Sequence, residues 1–89
     1  RITVLEAHLL DAIDVPPDLI IANILADVIM SFSKDAFKLI KPGGLFITSG
    51  IILQKRDEVR EDLIAQGFEI VETVLMEDWV AIIARKGRG

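Results

Sequence analysis

The chain has 89 residues, 52% of them hydrophobic, a net charge of -4 and no cysteine. That is enough for one small domain with a well-supplied core. The acidic balance denies the chain the basic field that a phosphate backbone requires, so generic nucleic-acid binding is not expected. Without cysteine there is neither a disulfide framework nor a thiolate metal site, and a single histidine makes a metal centre unexpected. No apolar run reaches the roughly 20 residues that span a bilayer, and nothing resembles a signal peptide. A soluble, cytoplasmic protein without a membrane partner is therefore expected. The sequence opens on Arg1, directly in a strand-like run, which reads as a segment of a longer protein.

Ile2 to Ala7 is a short β-rich run, and the aspartates and paired prolines of Asp11-Ala-Ile-Asp14-Val-Pro16-Pro17 mark a connection after it. Asp18-Leu-Ile-Ile-Ala-Asn23 is an apolar run stopping at one polar residue, the pattern of a buried strand that delivers an asparagine to its carboxyl end. In open α/β sheets the ligand crevice lies beyond those ends, which makes Asn23 the first functional candidate. The same residue also suits the cap of a helix starting at Ile24 or Leu25.

Leu25, Val28, Ile29, Phe32, Ala36, Leu39 and Ile40 recur at three- and four-residue steps, the signature of an amphipathic helix of about four turns. Lys38 and Lys41 favour its carboxyl end, and Pro42-Gly43-Gly44 forbids continuation. The third strand, Leu45 to Ser49, ends in hydroxyls and Gly50. A strand, helix and strand with short connections form a right-handed crossover, so 19–22 and 45–49 should be parallel neighbours with Ser49 and Gly50 beside Asn23.

A second helix is expected from Leu53 to Ala65, with Val59 and Leu63 inward and Gly67 as a left-handed cap. Phe68 to Met76 and Trp79 to Ala84 form an antiparallel hairpin around Glu77-Asp78. The last strand is apolar on both faces and belongs inside the sheet, whereas Glu69, Glu72 and Thr73 suit an edge. The expected fold is a single α/β domain over residues 1–89 with a mixed sheet ordered 19–22, 45–49, 79–85, 69–76. Trp79 and Phe68 are expected in the core or in hairpin packing. The basic end, Arg85, Lys86 and Arg88, is read as solvated.

Parallel strands followed by a reversed last strand tucked inside the edge resemble the carboxyl-terminal half of the seven-stranded, Rossmann-like S-adenosylmethionine-dependent methyltransferases. Asp18-Leu-Ile-Ile-Ala-Asn-Ile-Leu-Ala-Asp27, Leu39-Ile-Lys-Pro-Gly-Gly44, Ser49-Gly-Ile51 and Gly67-Phe68 are similar to the family that methylates bacterial large-subunit ribosomal protein L11. The resemblance implies the cofactor S-adenosylmethionine, an amino-group methylation and a ribosomal protein substrate. Asn23 matches the family's strand-end asparagine, which contacts the cofactor and faces the transferred methyl. Ile24, Ser49 and Gly50 fall on the substrate side of that pocket.

Leu5-Glu-Ala-His8-Leu-Leu10 resembles the segment near the adenine, but carries Ala7-His8 where relatives have Gly-Asp. His8 is thus a cofactor-binding candidate by position and a departure by chemistry. The family's Gly-rich turn and ribose-holding acid would precede Arg1, and Pro42-Gly43-Gly44 follows a helix, opposite to the order such a turn requires. The chain alone is therefore expected to bind the cofactor weakly or not at all, and to be inactive.

A second reading is a non-catalytic association module. The edge of strand 19–22, without the family's first strand beside it, would pair with or swap a strand from another chain and give a homodimer. Ile2 to Ala7, which the family fold separates from strand 19–22 by two strands, would either fold onto that edge or exchange between copies. A dinucleotide-dependent dehydrogenase fits poorly, because its sheet lacks the reversed terminal hairpin.

Overall fold

The computed structural model describes residues 2–5 and 18–87. Its elements are β1 (Ile2–Leu5), β2 (Leu19–Asn23), α1 (Ala26–Leu39), β3 (Leu45–Ile52), a 3-10 turn (Leu53–Lys55), α2 (Arg56–Gln66), β4 (Glu69–Met76) and β5 (Trp79–Arg85). The sheet order is β1-β2-β3-β5-β4, with β1, β2 and β3 parallel and β5 antiparallel to both neighbours. The four strands ordered from the sequence hold those places.

Alternation writes the core. Ile20 and Ala22, Phe46, Thr48 and Ile51, and Val80, Ile82 and Ala84 are buried on one face. Ile29, Ala36 and Ile40 of the first helical segment join them in one cluster with Val59 and Leu63 of α2 and with Phe68. On the other face Ile21, Ile47 and Ile83 lie in one register row and are half-buried. Phe46 sits between two other rings, 6.2 Å from Phe32 and 5.5 Å from Phe68, and Phe37 meets Phe68 edge-on at 5.0 Å.

Two details depart from the sequence reading. The buried line of α1 is Ala26, Ile29, Ser33 and Ala36, so Leu25 is not on the packed face but is the helix cap, with 72% of its surface exposed. β3 does not stop at Ser49: it passes through Gly50 and runs to Ile52, with a register shift against β5 between Thr48 and Ile51. Of the aromatic pair expected in the core or in hairpin packing, Phe68 is buried in the core and Trp79, about half exposed, stands in the hairpin in register with Met76. At the edge of β2 the structure shows one of the two fates left open to the first strand, which folds onto it. β1 pairs with it directly, Ile2 against Leu19 through Leu5 against Ala22.

Gly67 caps α2 at φ 113°, as its position required. A Cβ there would stand 2.8 Å from the Phe37 ring, so sterics and backbone both select glycine. Ser33 is fully buried and donates a 2.5 Å hydrogen bond from its hydroxyl to the Asp62 carboxylate, tying α1 to α2. Replacing Ser33 by alanine should cost about 1–2 kcal/mol in urea denaturation of the chain, because a charge-assisted bond is lost at a partly buried carboxylate. In an Asp62→Ala background the same change should cost clearly less.

Candidate functional site

The site begins with two parallel strand ends. Asn23 and Ser49 are register partners, the last pair that β2 and β3 form. The shared crossover fixes this: α1 returns the chain so that both strands run in one direction and end on one rim. Asn23 is exposed there, and Ser49 and Gly50 are half-exposed. The structure thus brings together the four sequence candidates Asn23, Ile24, Ser49 and Gly50, which line one open cavity of about 820 Å³. His8 lies outside the described residues.

The capping role open to Asn23 is not what the structure has. Leu25 is the cap of α1 and no side chain bonds the first-turn amides. Neither the Asn23 carboxamide nor the Ser49 hydroxyl hydrogen-bonds to another described residue. Both line the cavity. The carboxamide lies over Gly50, where an added Cβ would come within 2.5 Å of its Oδ1.

The remaining walls come from residues that sequence reasoning did not assign to the site. Met76, Glu77 and Trp79 of the β4–β5 hairpin close one side, and Leu25 another. The signal was present in the strand order. β5 is antiparallel to β3, so it must begin where β3 ends, which carries the hairpin turn to this rim. Glu77 holds a left-handed backbone at φ 56° in that two-residue turn. Its carboxylate is the one ionisable group among the described lining residues.

Beyond Leu25, Lys55 meets Glu58 at 3.0 Å and Asp27 at 3.7 Å. Its bond and charge attraction to Glu58, and then the charge of Asp27, raise the pKa of its ammonium above the usual lysine value. Lys55 therefore stays cationic near neutral pH and is no amine base. No group of three or more His, Cys, Asp or Glu that could hold a metal occurs among the described residues, nor does any helix among them long and apolar enough to cross a membrane.

The arrangement is a parallel rim that presents a free carboxamide to a largely apolar cavity, on a sheet whose last strand is reversed. Solved structures that share this fold include several methyltransferases. The ribosomal protein L11 methylase of Lactobacillus delbrueckii subsp. bulgaricus superimposes with a TM-score of 0.81 at 28% identity, over 88% of this chain and 41% of that one. A methyltransferase from Pyrococcus furiosus shares the fold at a TM-score of 0.71 and 18% identity, over 84% of this chain and 43% of its own. The family model described as ribosomal protein L11 methyltransferase (PrmA) matches residues 1–87, and the chain belongs to that family. The ribosomal protein L11 methyltransferase of Geobacillus kaustophilus is 54% identical over 85 residues, 96% of this chain and 27% of that protein. The one from an Exiguobacterium species is 61% identical over 79 residues, 89% of this chain and 25% of its own length. The chain thus spans about a quarter of the curated relatives it matches.

Proposed function

We propose that these 89 residues form the carboxyl-terminal part of a larger protein methyltransferase that transfers a methyl from S-adenosylmethionine to amino groups of ribosomal protein L11. The observation that carries this reading is the Asn23–Ser49 register pair at the carboxyl rim of two parallel strands, facing an apolar cavity with an unengaged carboxamide. That donor set suits the reactive end of the cofactor: a sulfonium needs a wall without basic groups, and none of the described lining residues is basic. The groups that would hold the rest of the cofactor, a ribose-binding acid and a Gly-rich turn after a strand, are not among the described residues. Hence the isolated chain is proposed to bind the cofactor weakly and to be inactive.

S-adenosylmethionine supplies an activated methyl with a good leaving group, so the protein's task is positioning. Asn23 Oδ1 accepts a hydrogen bond from the attacking amine and holds its lone pair toward the methyl. A carboxamide does this without a negative charge that would keep the amine protonated. Leu25, Met76 and Trp79 give the amine an apolar wall. Ile24, Ser49 and Gly50 complete the substrate side. His8 keeps its place in the segment proposed to run near the adenine.

The test uses the full-length enzyme with S-adenosylmethionine and ribosomal protein L11, and reads mass increments of one methyl on amino groups. Saturable methylation supports the proposal, and an L11 product without added mass refutes it. Titrating the 89-residue chain alone with S-adenosylmethionine should show no saturation in the micromolar range by calorimetry; saturable binding there would refute the proposed incompetence of the segment.

A further inference from the structure

We infer that Gly50 is a positioning residue for the Asn23 carboxamide: its missing side chain is the space in which the Asn23 amide oxygen is held, so that position 50 sets the aim of the group that orients the amine. This rests on the methyltransferase reading above. Three observations meet at this point. Gly50 has φ +76°, which side-chain-bearing residues rarely adopt. An added Cβ would lie 2.5 Å from Asn23 Oδ1 and 3.7 Å from its Cγ, with the Ile24 carbonyl oxygen next at 3.9 Å. The atom in the way is therefore the functional end of one side chain, not the packed core.

β3 has its register shift against β5 just here, between Thr48 and Ile51. A bulge bends a strand and re-aims the side chains beside it. In this case it turns the bare Cα of Gly50 under the neighbouring strand end, while Thr48 and Ile51 both remain fully buried. The left-handed backbone of Gly50 serves the bulge itself. The bare Cα also leaves the space that the Asn23 amide oxygen occupies, and no hydrogen bond to a described residue fixes that carboxamide.

Gly50→Ala must move Oδ1 by most of an ångström or rotate it away, and a displacement of about 1 Å at a group that orients the reaction costs on the order of 100-fold in rate. The experiment is a two-by-two cycle in the full-length enzyme, with Gly50→Ala and Asn23→Ala alone and together, measuring kcat, KM for each substrate and thermal midpoint. Gly50→Ala is expected to lower kcat by about 100-fold with KM for S-adenosylmethionine changed by less than about threefold, and to add less than about threefold in the Asn23→Ala background. Backbone strain at φ +76° lowers the thermal midpoint equally in both backgrounds, so it cannot produce this coupling. Equal rate losses in both backgrounds, or no rate loss beside an intact Asn23, would overturn the inference.

Gly50→Asn carries the same Cβ on a residue that tolerates left-handed backbone, and keeps the cycle informative if the alanine variant does not fold; the same coupling is expected. Should the unsubstituted enzyme transfer no methyl, the methyltransferase reading falls by itself. A crystal structure of the full-length Gly50→Ala protein then decides the positioning: a displaced Asn23 carboxamide upholds it, and an unmoved one overturns it.

Discussion

Asn23→Ala in the full-length enzyme should slow methyl transfer by about 100-fold or more, the scale seen when one preorganised polar group that orients or stabilises a reaction is removed. Stability should barely change. Asn23 is exposed, caps no helix and bonds no described residue, so its loss removes no folding contact and the unfolding free energy should stay within about 0.5 kcal/mol. This split between rate and stability is the diagnostic feature. A side chain that caps a helix or packs in the core would lose both together, and a bystander would lose neither. Asn23→Asp sharpens the distinction, because it keeps size and acceptor atoms while adding a charge that stabilises the protonated amine. Its rate should be low at neutral pH and recover partly as pH rises and the amine loses its proton. Unchanged kcat in both variants would leave the strand-end asparagine without a role in transfer.

Much of the fold and of the site was legible in the amino-acid sequence, for reasons that particular residues make plain. β2 and β3 could be read because each is an apolar run bounded by punctuation, Pro16-Pro17 before one and Pro42-Gly43-Gly44 before the other. Their parallel pairing came from the intervening helix, and with it the meeting of Asn23 and Ser49. The interior place of β5 came from its two apolar faces.

The features that escaped the sequence reading are tertiary. Ser33 reads as polar, yet it occupies the buried line of α1, where Asp62, 29 positions away, accepts its hydrogen bond. Leu25 reads as core at helical spacing, but a helix beginning one residue later leaves it on the rim. Gly50 reads as a strand end. Only the shifted register with β5 carries the strand through it to Ile52, and the same register draws Met76, Glu77 and Trp79 to the cavity. The pairing of β1 with β2 was one of two fates open to the first strand, and local pattern alone could not choose between them.

The largest stability effect should come from Phe46→Ala. Phe46 is wholly buried near the start of β3, flanked in register by Ile20 of β2 and Ala84 of β5, which are also wholly buried. Its ring bridges the two helices' side of the core through Phe32 on α1 and Phe68 just after α2. Truncation removes the transfer free energy of a benzyl group and leaves a cavity that strand neighbours on both sides cannot close, since sheet hydrogen bonds hold their spacing. Such changes cost about 3–5 kcal/mol. A domain of this size is stable by roughly 5–10 kcal/mol, so the variant should lose about half of its stability or more, with the urea midpoint falling in proportion and the slope unchanged. Phe46→Leu, which fills most of the space, should cost about 1–2 kcal/mol. A loss below about 1.5 kcal/mol for the alanine variant would mean that the three rings do not form the centre of the core. The consequence for the site is direct, because Phe46 lies three residues before Ser49 on the strand that carries both Ser49 and Gly50. Loosening that strand unseats the rim and the carboxamide resting on it, so methyl transfer in the full-length Phe46→Ala enzyme should fall at temperatures where Asn23→Ala is still fully folded.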